Sequence, residues 1–329
     1  MSSKNMELSN IRGVAIILVL MIHCASIGFA KYSDDWWVAA TIDAFSRCCV
    51  PLFLMVSGAL LVTKNEIISI FFKKRVSRIF PPLIFWGVIY VFFNSIFLGN
   101  KLLIDDFINI FYKSSYKHLW YLYFIIGIYT LIPILSKWYI TSSLSEKIFY
   151  VAIWFVVNLI FQFNQAKVFV SSYGLITFVS LFGYLILGAL LFELAQLNKL
   201  KYRNYFNLLL YVIISISISF TSYLAYKNSG AISTVYLGYL SPLIILQSAF
   251  IFLFVYGFKF NSKTINFLSN GSLGIYCVHM MVIAITLSYL KSYDIYMTYK
   301  IILLFAITIS ISSFIVFLMK KSYLLRSVV

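Results

Sequence analysis

The chain has 329 residues, 62% of them hydrophobic and only 11% charged. Soluble domains carry about a quarter charged residues, so this composition excludes a water-soluble globular protein and makes lipid the solvent. The net charge of +16 does not point to nucleic acid, because the basic residues are scattered over short loops with no face of interleaved aromatics.

A bilayer core takes about 20 apolar residues per helix. On that basis the sequence predicts helices over 10–30, 42–63, 80–98, 118–138, 147–163, 173–194, 206–226, 235–257, 271–290 and 299–319. The first apolar run, Ile11–Ala30, is long, carries Arg12 and His23 and lacks a small-x-small cleavage site, so it reads as a mature helix rather than a signal peptide. The segment 101–113 reads equally as a short amphipathic helix or a loop. No polar block is long enough to fold outside the membrane. The expected architecture is therefore all-α: one polytopic membrane domain over 1–329 with about ten transmembrane helices.

Lysine and arginine test the orientation. With the N-terminus in the cytoplasm, the inner segments hold 17 of the 26 basic residues and the outer segments 8, with Arg47 alone inside a helix. This asymmetry places both termini in the cytoplasm. Cys24, Cys48, Cys49 and Cys277 all fall in apolar stretches, and no Cys-x-x-Cys spacing exists, which argues against a structural disulfide or a metal site.

Ionisable groups inside membrane helices are costly and usually face a cavity or a partner. Arg12 and His23 are eleven residues apart on the first helix. That is roughly 16 Å of depth at nearly three full turns, so the two side chains share a face. Alone, Arg12 reads as a snorkelling anchor and His23 as a helix–helix hydrogen-bonder; together they favour a groove. Asp43 and Arg47 are an i,i+4 pair at the depth of His23. They form either a helix lock or, beside a neutral imidazole able to act as a base, part of a site. Arg75 and Arg78 are one turn apart in the basic run that begins with Lys73 and Lys74, just before Pro81-Pro82. This fork suits phosphates, although topology and anionic lipid also demand basic residues there. His118, Trp120 and Tyr121 open the fourth helix as an interfacial aromatic belt or as a platform for a sugar. His279, one turn after Tyr276, reads evenly as a cavity or an interhelix group. Glu193 reads as snorkelling, and Asp34-Asp35 as solvated loop residues.

These residues sit in strings that resemble the acyltransferase-3 family of integral membrane O-acyltransferases. Asn10-Ile11-Arg12-Gly13-Val14-Ala15 with Met21-Ile22-His23 resembles its opening signature, an Arg and a His with ten residues between. The stretch from Ser46-Arg47-Cys48-Cys49 to Ser57-Gly58 resembles its second-helix motif, with the vicinal cysteines replacing a small or β-branched pair. Arg75-x-x-Arg78-Ile79-x-Pro81, His118-Leu119-Trp120-Tyr121 and Ser272-Leu273-Gly274-Ile275-Tyr276-Cys277-Val278-His279 follow in order. Within the family the chain is most similar to the stand-alone surface-polysaccharide O-acetyltransferases, typified by the enterobacterial common antigen enzyme.

The resemblance implies a multi-pass protein of the bacterial inner membrane. It implies transfer of an acetyl group from cytoplasmic acetyl-CoA to a hydroxyl of a cell-surface or lipid-linked glycan, without a metal. Arg75, Arg78 and Lys74, with Arg12 nearer the groove, would then hold the donor phosphates. His23 would act as base or acyl relay, with Arg47, oriented by Asp43, facing the oxyanion. His118, Trp120, Tyr121, Tyr276 and His279 would contact the acceptor. Two rivals remain at this stage: a transporter or flippase for a glycan or lipid intermediate, for which intramembrane Arg, Asp and His also serve, and a glycosyltransferase built on Asp34 and Asp35.

Overall fold

The computed structural model describes residues 3–29, 36–197, 204–229, 235–258, 260–290, 292–293 and 295–329. Asp34 and Asp35 lie outside them, as do Lys31, Lys199, Lys201, Arg203, Lys259 and Lys291. The described chain is a helical bundle. In order it runs α1 (Ser3–Phe29), α2 (Trp36–Ser46), α3 (Cys49–Leu61), α4 (Ile68–Ile96), α5 (Ile104–Asn109), α6 (Trp120–Thr141) and α7 (Leu144–Phe161). It continues with α8 (Asn164–Ser172), α9 (Gly183–Gln196), α10 (Asn204–Ser229), α11 (Pro242–Gly257), α12 (Lys263–Asn270), α13 (Ser272–Leu290) and α14 (Met297–Lys321).

Among the described residues, eight spans are long and apolar enough to cross a membrane: α1, α2 with α3, α4, α6, α7, α10, α13 and α14. The other two expected crossings, over 173–194 and 235–257, become the shorter apolar helices α9 and α11. At 1.5 Å per residue these reach only about 21 and 24 Å, less than the ~30 Å hydrocarbon core. The chain completes them with irregular segments whose carbonyls are capped by side chains, as backbone at membrane depth requires. Ahead of α9, Trp154 Nε1 donates to the Ser180 carbonyl (2.9 Å) and Asn158 Nδ2 to that of Phe178 (3.2 Å). Ahead of α11, Tyr184 Oη donates to the Tyr239 carbonyl at 2.5 Å.

The second span is broken where the sequence predicts one continuous helix. The chain turns between α2 and α3 at Arg47 and Cys48. The freed carbonyls are taken up from neighbouring helices: Gln247 Nε2 donates to Ala44 (2.8 Å) and Tyr211 Oη to Phe45 (2.7 Å). A second difference lies in α4, which begins at Ile68 rather than near 80, so Pro81 and Pro82 sit inside the helix. The basic run is thus helical, and the prolines withhold the donors that would reach the carbonyls of Ser77 and Arg78. The segment 101–113 contains one short helix, α5.

The closest crossing is α3 on α9. A Cβ at Gly58 would stand 1.9 Å from the Leu185 carbonyl oxygen, and one at Gly188 2.2 Å from that of Met55. Only glycine allows these backbones to meet, the small-residue solution to helix packing without a hydrophobic drive between helices. Both ends of the described chain lie at one face of the bundle. Ser9 Oγ donates to Ser269 Oγ of α12 at 2.9 Å, and Val329 packs on Gly274 in the first turn of α13. This is called the termini face below, and the opposite one the far face.

Candidate active site

Near the termini face, Arg12 of α1 and Arg75 and Arg78 of α4 line one cavity of about 160 Å³, walled by Tyr121, Tyr129 and Tyr276. Its lining holds no carboxylate among the described residues, and Glu66 lies 3.7 Å from Arg75. Among the described residues neither Arg12 nor Arg78 has a carboxylate at ion-pair distance. Two uncompensated guanidiniums and a third half-compensated one face an apolar-walled space, which suits an anion. Lys74, expected to join them, is instead paired with Glu66 and turned outward, its side chain 59% exposed. Successive residues on a helix do not share a face, so Lys74 cannot follow Arg75 into the cavity. Its hydrogen bond holds the Glu66 carboxyl below its ordinary value.

Deeper in the bundle the chain's three histidines converge. His23 of α1 and His279 of α13 have ring centroids 5.0 Å apart, and His279 and His118 also 5.0 Å. His279 is fully buried, and its Nδ1 lies 2.5 Å from the Tyr276 carbonyl. A carbonyl only accepts, so Nδ1 carries the proton and Nε2 is left as a bare acceptor. The Tyr276 hydroxyl donates to the His118 carbonyl. Its ring lies 5.3 Å from that of His118 and 5.8 Å from that of His279. Because Tyr276 also lines the arginine cavity, cavity and histidine cluster share a wall.

His118, Trp120 and Tyr121 do not form the joint outer platform read from the sequence. The 3-10 turn Lys117–Leu119 carries His118 inward, where it is 4% exposed beside Tyr90 and Tyr116. Tyr121 turns to the arginine cavity. Trp120 alone faces outward, 36% exposed and stacked on Tyr239. The enclosure of His118 and His279 removes them from direct contact with a large solute and makes them neighbours of His23 instead.

Asp43 and Arg47 form a two-pronged ion pair, Nε to Oδ2 at 2.6 Å and Nη2 to Oδ1 at 2.8 Å. Arg47 Nη1 reaches the Leu237 carbonyl at 3.4 Å. The side chain of Asp43 is 3% exposed and that of Arg47 20%. The helix break places Arg47 in the turn just ahead of α3. Among the described residues, one further N–H on each of Nη1 and Nη2 makes no hydrogen bond. The candidate site thus has, in sequence, an arginine-lined cavity, a tyrosine wall, an imidazole cluster and an oriented guanidinium.

Residues 6–318 match the acyltransferase domain of the acyltransferase-3 family. The chain belongs to that family. No curated protein and no solved structure matches this chain. The acyltransferase is therefore a polytopic membrane protein in which the family's chemistry has to be performed by groups held between helices. No group of three or more His, Cys, Asp or Glu among the described residues is arranged to hold a metal ion, the three histidines included.

Several side chains that shape the candidate site were not singled out by sequence. Tyr129 lines the arginine cavity, Tyr239 stacks on Trp120, and Gln247 and Tyr211 hold the α2–α3 break open. With 25 tyrosines in the chain, nothing local marks those that face a cavity rather than lipid. Gln247 was the one legible signal, an uncharged but strongly polar group in the middle of an apolar helix.

Proposed function

We propose that this acyltransferase moves an acetyl group from acetyl-CoA, bound at the termini face, to a hydroxyl of a surface or lipid-linked glycan that approaches from the far face. The observation that carries the reading is the shared wall: the cavity holding Arg12, Arg75 and Arg78 and the cluster holding His23 meet at Tyr276. The charge asymmetry of the loops supports a cytoplasmic termini face. The setting is then a bacterial inner membrane, with the chain acting as a surface-polysaccharide O-acetyltransferase of the kind that modifies enterobacterial common antigen.

In this reading the arginines bind the phosphates of the donor, and the pantetheine arm passes between Tyr121 and Tyr276 to present the thioester beside His23. His23 takes the proton of the acceptor hydroxyl as its oxygen attacks the thioester carbonyl. The oxyanion develops against Arg47, which Asp43 holds in place. The carbon–sulfur bond then breaks, and the departing thiolate receives the proton from His23. Trp120 with Tyr239 offers the outward aromatic face for the acceptor.

The test is turnover of acetyl-labelled acetyl-CoA by the purified protein in nanodiscs, with envelope glycans added. Free CoA and labelled glycan should appear together, and both should vanish in His23→Ala. Movement of unmodified glycan across the bilayer with no CoA released would favour the transporter reading instead.

A further inference from the structure

At the far end of α4 lies a second, differently built cavity, of about 280 Å³, enclosed by the end of α4, α5 and the segment that leads to His118. Its lining is polar. Asn94, Asn100 and Asn109 contribute amides, Ser115 a hydroxyl, and Lys101 and Lys113 the cationic groups. Asn94 Oδ1 and Ser115 Oγ are buried without a hydrogen-bond partner among the described residues, while the amides of the half-buried Asn109 and the exposed Asn100 are left to solvent or a ligand. Buried polar atoms are normally paired, and each exception asks for a cause. Amides and hydroxyls that both donate and accept match the hydroxyls of a sugar, which do the same.

The place of this cavity fits that chemistry. Asn94 is sixteen residues beyond Arg78 on α4, roughly 24 Å along the axis, so the two cavities lie at opposite ends of one helix. Asn94 Nδ2 donates to the Ser115 carbonyl at 2.9 Å. The next residue, Tyr116, lies with its ring 5.5 Å from His118, which in turn faces His279 and so His23. Three residues of chain separate Ser115 of this cavity from His118.

We propose that this cavity is a saccharide subsite, holding a sugar residue of the acceptor next to the one that is acylated. The inference rests on the glycan-acceptor reading given above. Its test uses the full-length protein in nanodiscs with labelled acetyl-CoA. The acceptor probe is the oligosaccharide fraction released by mild acid from envelopes of the source cell. In Asn100→Ala/Asn109→Ala, whose amides anchor nothing within the protein, the acceptor KM should rise at least tenfold while the KM for acetyl-CoA moves less than twofold. Ser115→Ala should raise the acceptor KM in the same direction as a single-atom check on folding.

An acceptor KM within twofold of wild type in both variants overturns the subsite. So does an effect that follows the lipid composition of the nanodisc rather than glycan concentration, which would mark a headgroup site. If wild-type protein transfers no acetyl to any glycan, the acceptor reading itself fails and the subsite with it.

Discussion

The pair Asp43–Arg47 can be separated into its structural and chemical parts. The side chain of Asp43 is 3% exposed and both prongs are short, at 2.6 and 2.8 Å. Removing one partner of a buried pair leaves an uncompensated charge and costs about 3–5 kcal/mol, whereas replacing both with neutral residues of similar volume is often near neutral. Asp43→Leu should therefore lower the thermal midpoint of the detergent-solubilised protein sharply, because Arg47 cannot shed its charge. Asp43→Leu/Arg47→Met should restore the midpoint. If Arg47 meets the developing oxyanion, that stable double variant should still lose about 10²–10³-fold in kcat, the scale of one such donor. The assay is acetyl transfer in nanodiscs with thermal unfolding measured on the same preparation. A double variant that keeps kcat within about threefold, a change worth less than one tenfold step of 1.36 kcal/mol, would refute the catalytic part and leave the pair a helix lock.

Arg75→Ala with Arg78→Ala should raise the KM for acetyl-CoA at least tenfold with little change in acceptor KM, measured by CoA release; unchanged donor dependence would return both arginines to topology and lipid. Lys74→Ala, by contrast, should leave donor KM within twofold, since its ammonium is paired with Glu66 and faces away from the cavity. Gly188→Val should abolish the folded protein, because its side chain would collide with the Met55 backbone; a monodisperse, active variant by size-exclusion chromatography would contradict the packing of α3 on α9. Tyr276→Phe should keep the fold but reduce kcat more than donor affinity, since it removes the hydrogen bond to His118 and leaves the ring wall.

The sequence made the helical spans legible because lipid imposes a length and a composition on each one. It did not show where helices break. The turn at Arg47 and Cys48 contains neither glycine nor proline, and it is stabilised by hydrogen bonds from Gln247 and Tyr211 that span 203 and 166 residues. Pro81 and Pro82 misled in the opposite direction, reading as a helix start when α4 had already run for more than three turns. Arg12, Arg75, Arg78, His23 and Arg47 could be named because charge is rare in these helices and each occurrence asks for a partner. The convergence of His23, His118 and His279 could not be read, since it depends on how α1, α13 and the turn before α6 face one another. Helical periodicity gives the face of each residue on its own helix, and tertiary packing alone decides which faces meet.

The central claim is that donor and acceptor are used from opposite faces of one membrane protein. Sealed proteoliposomes of defined orientation test it, with envelope oligosaccharide trapped in the lumen at the far face and labelled acetyl-CoA supplied only at the termini face. Acetyl-labelled oligosaccharide is expected in the lumen with free CoA outside and no acetyl-CoA inside, and His23→Ala should give neither labelled oligosaccharide nor free CoA. Unlabelled luminal oligosaccharide despite release of free CoA outside, or intact acetyl-CoA recovered from the lumen, would contradict it.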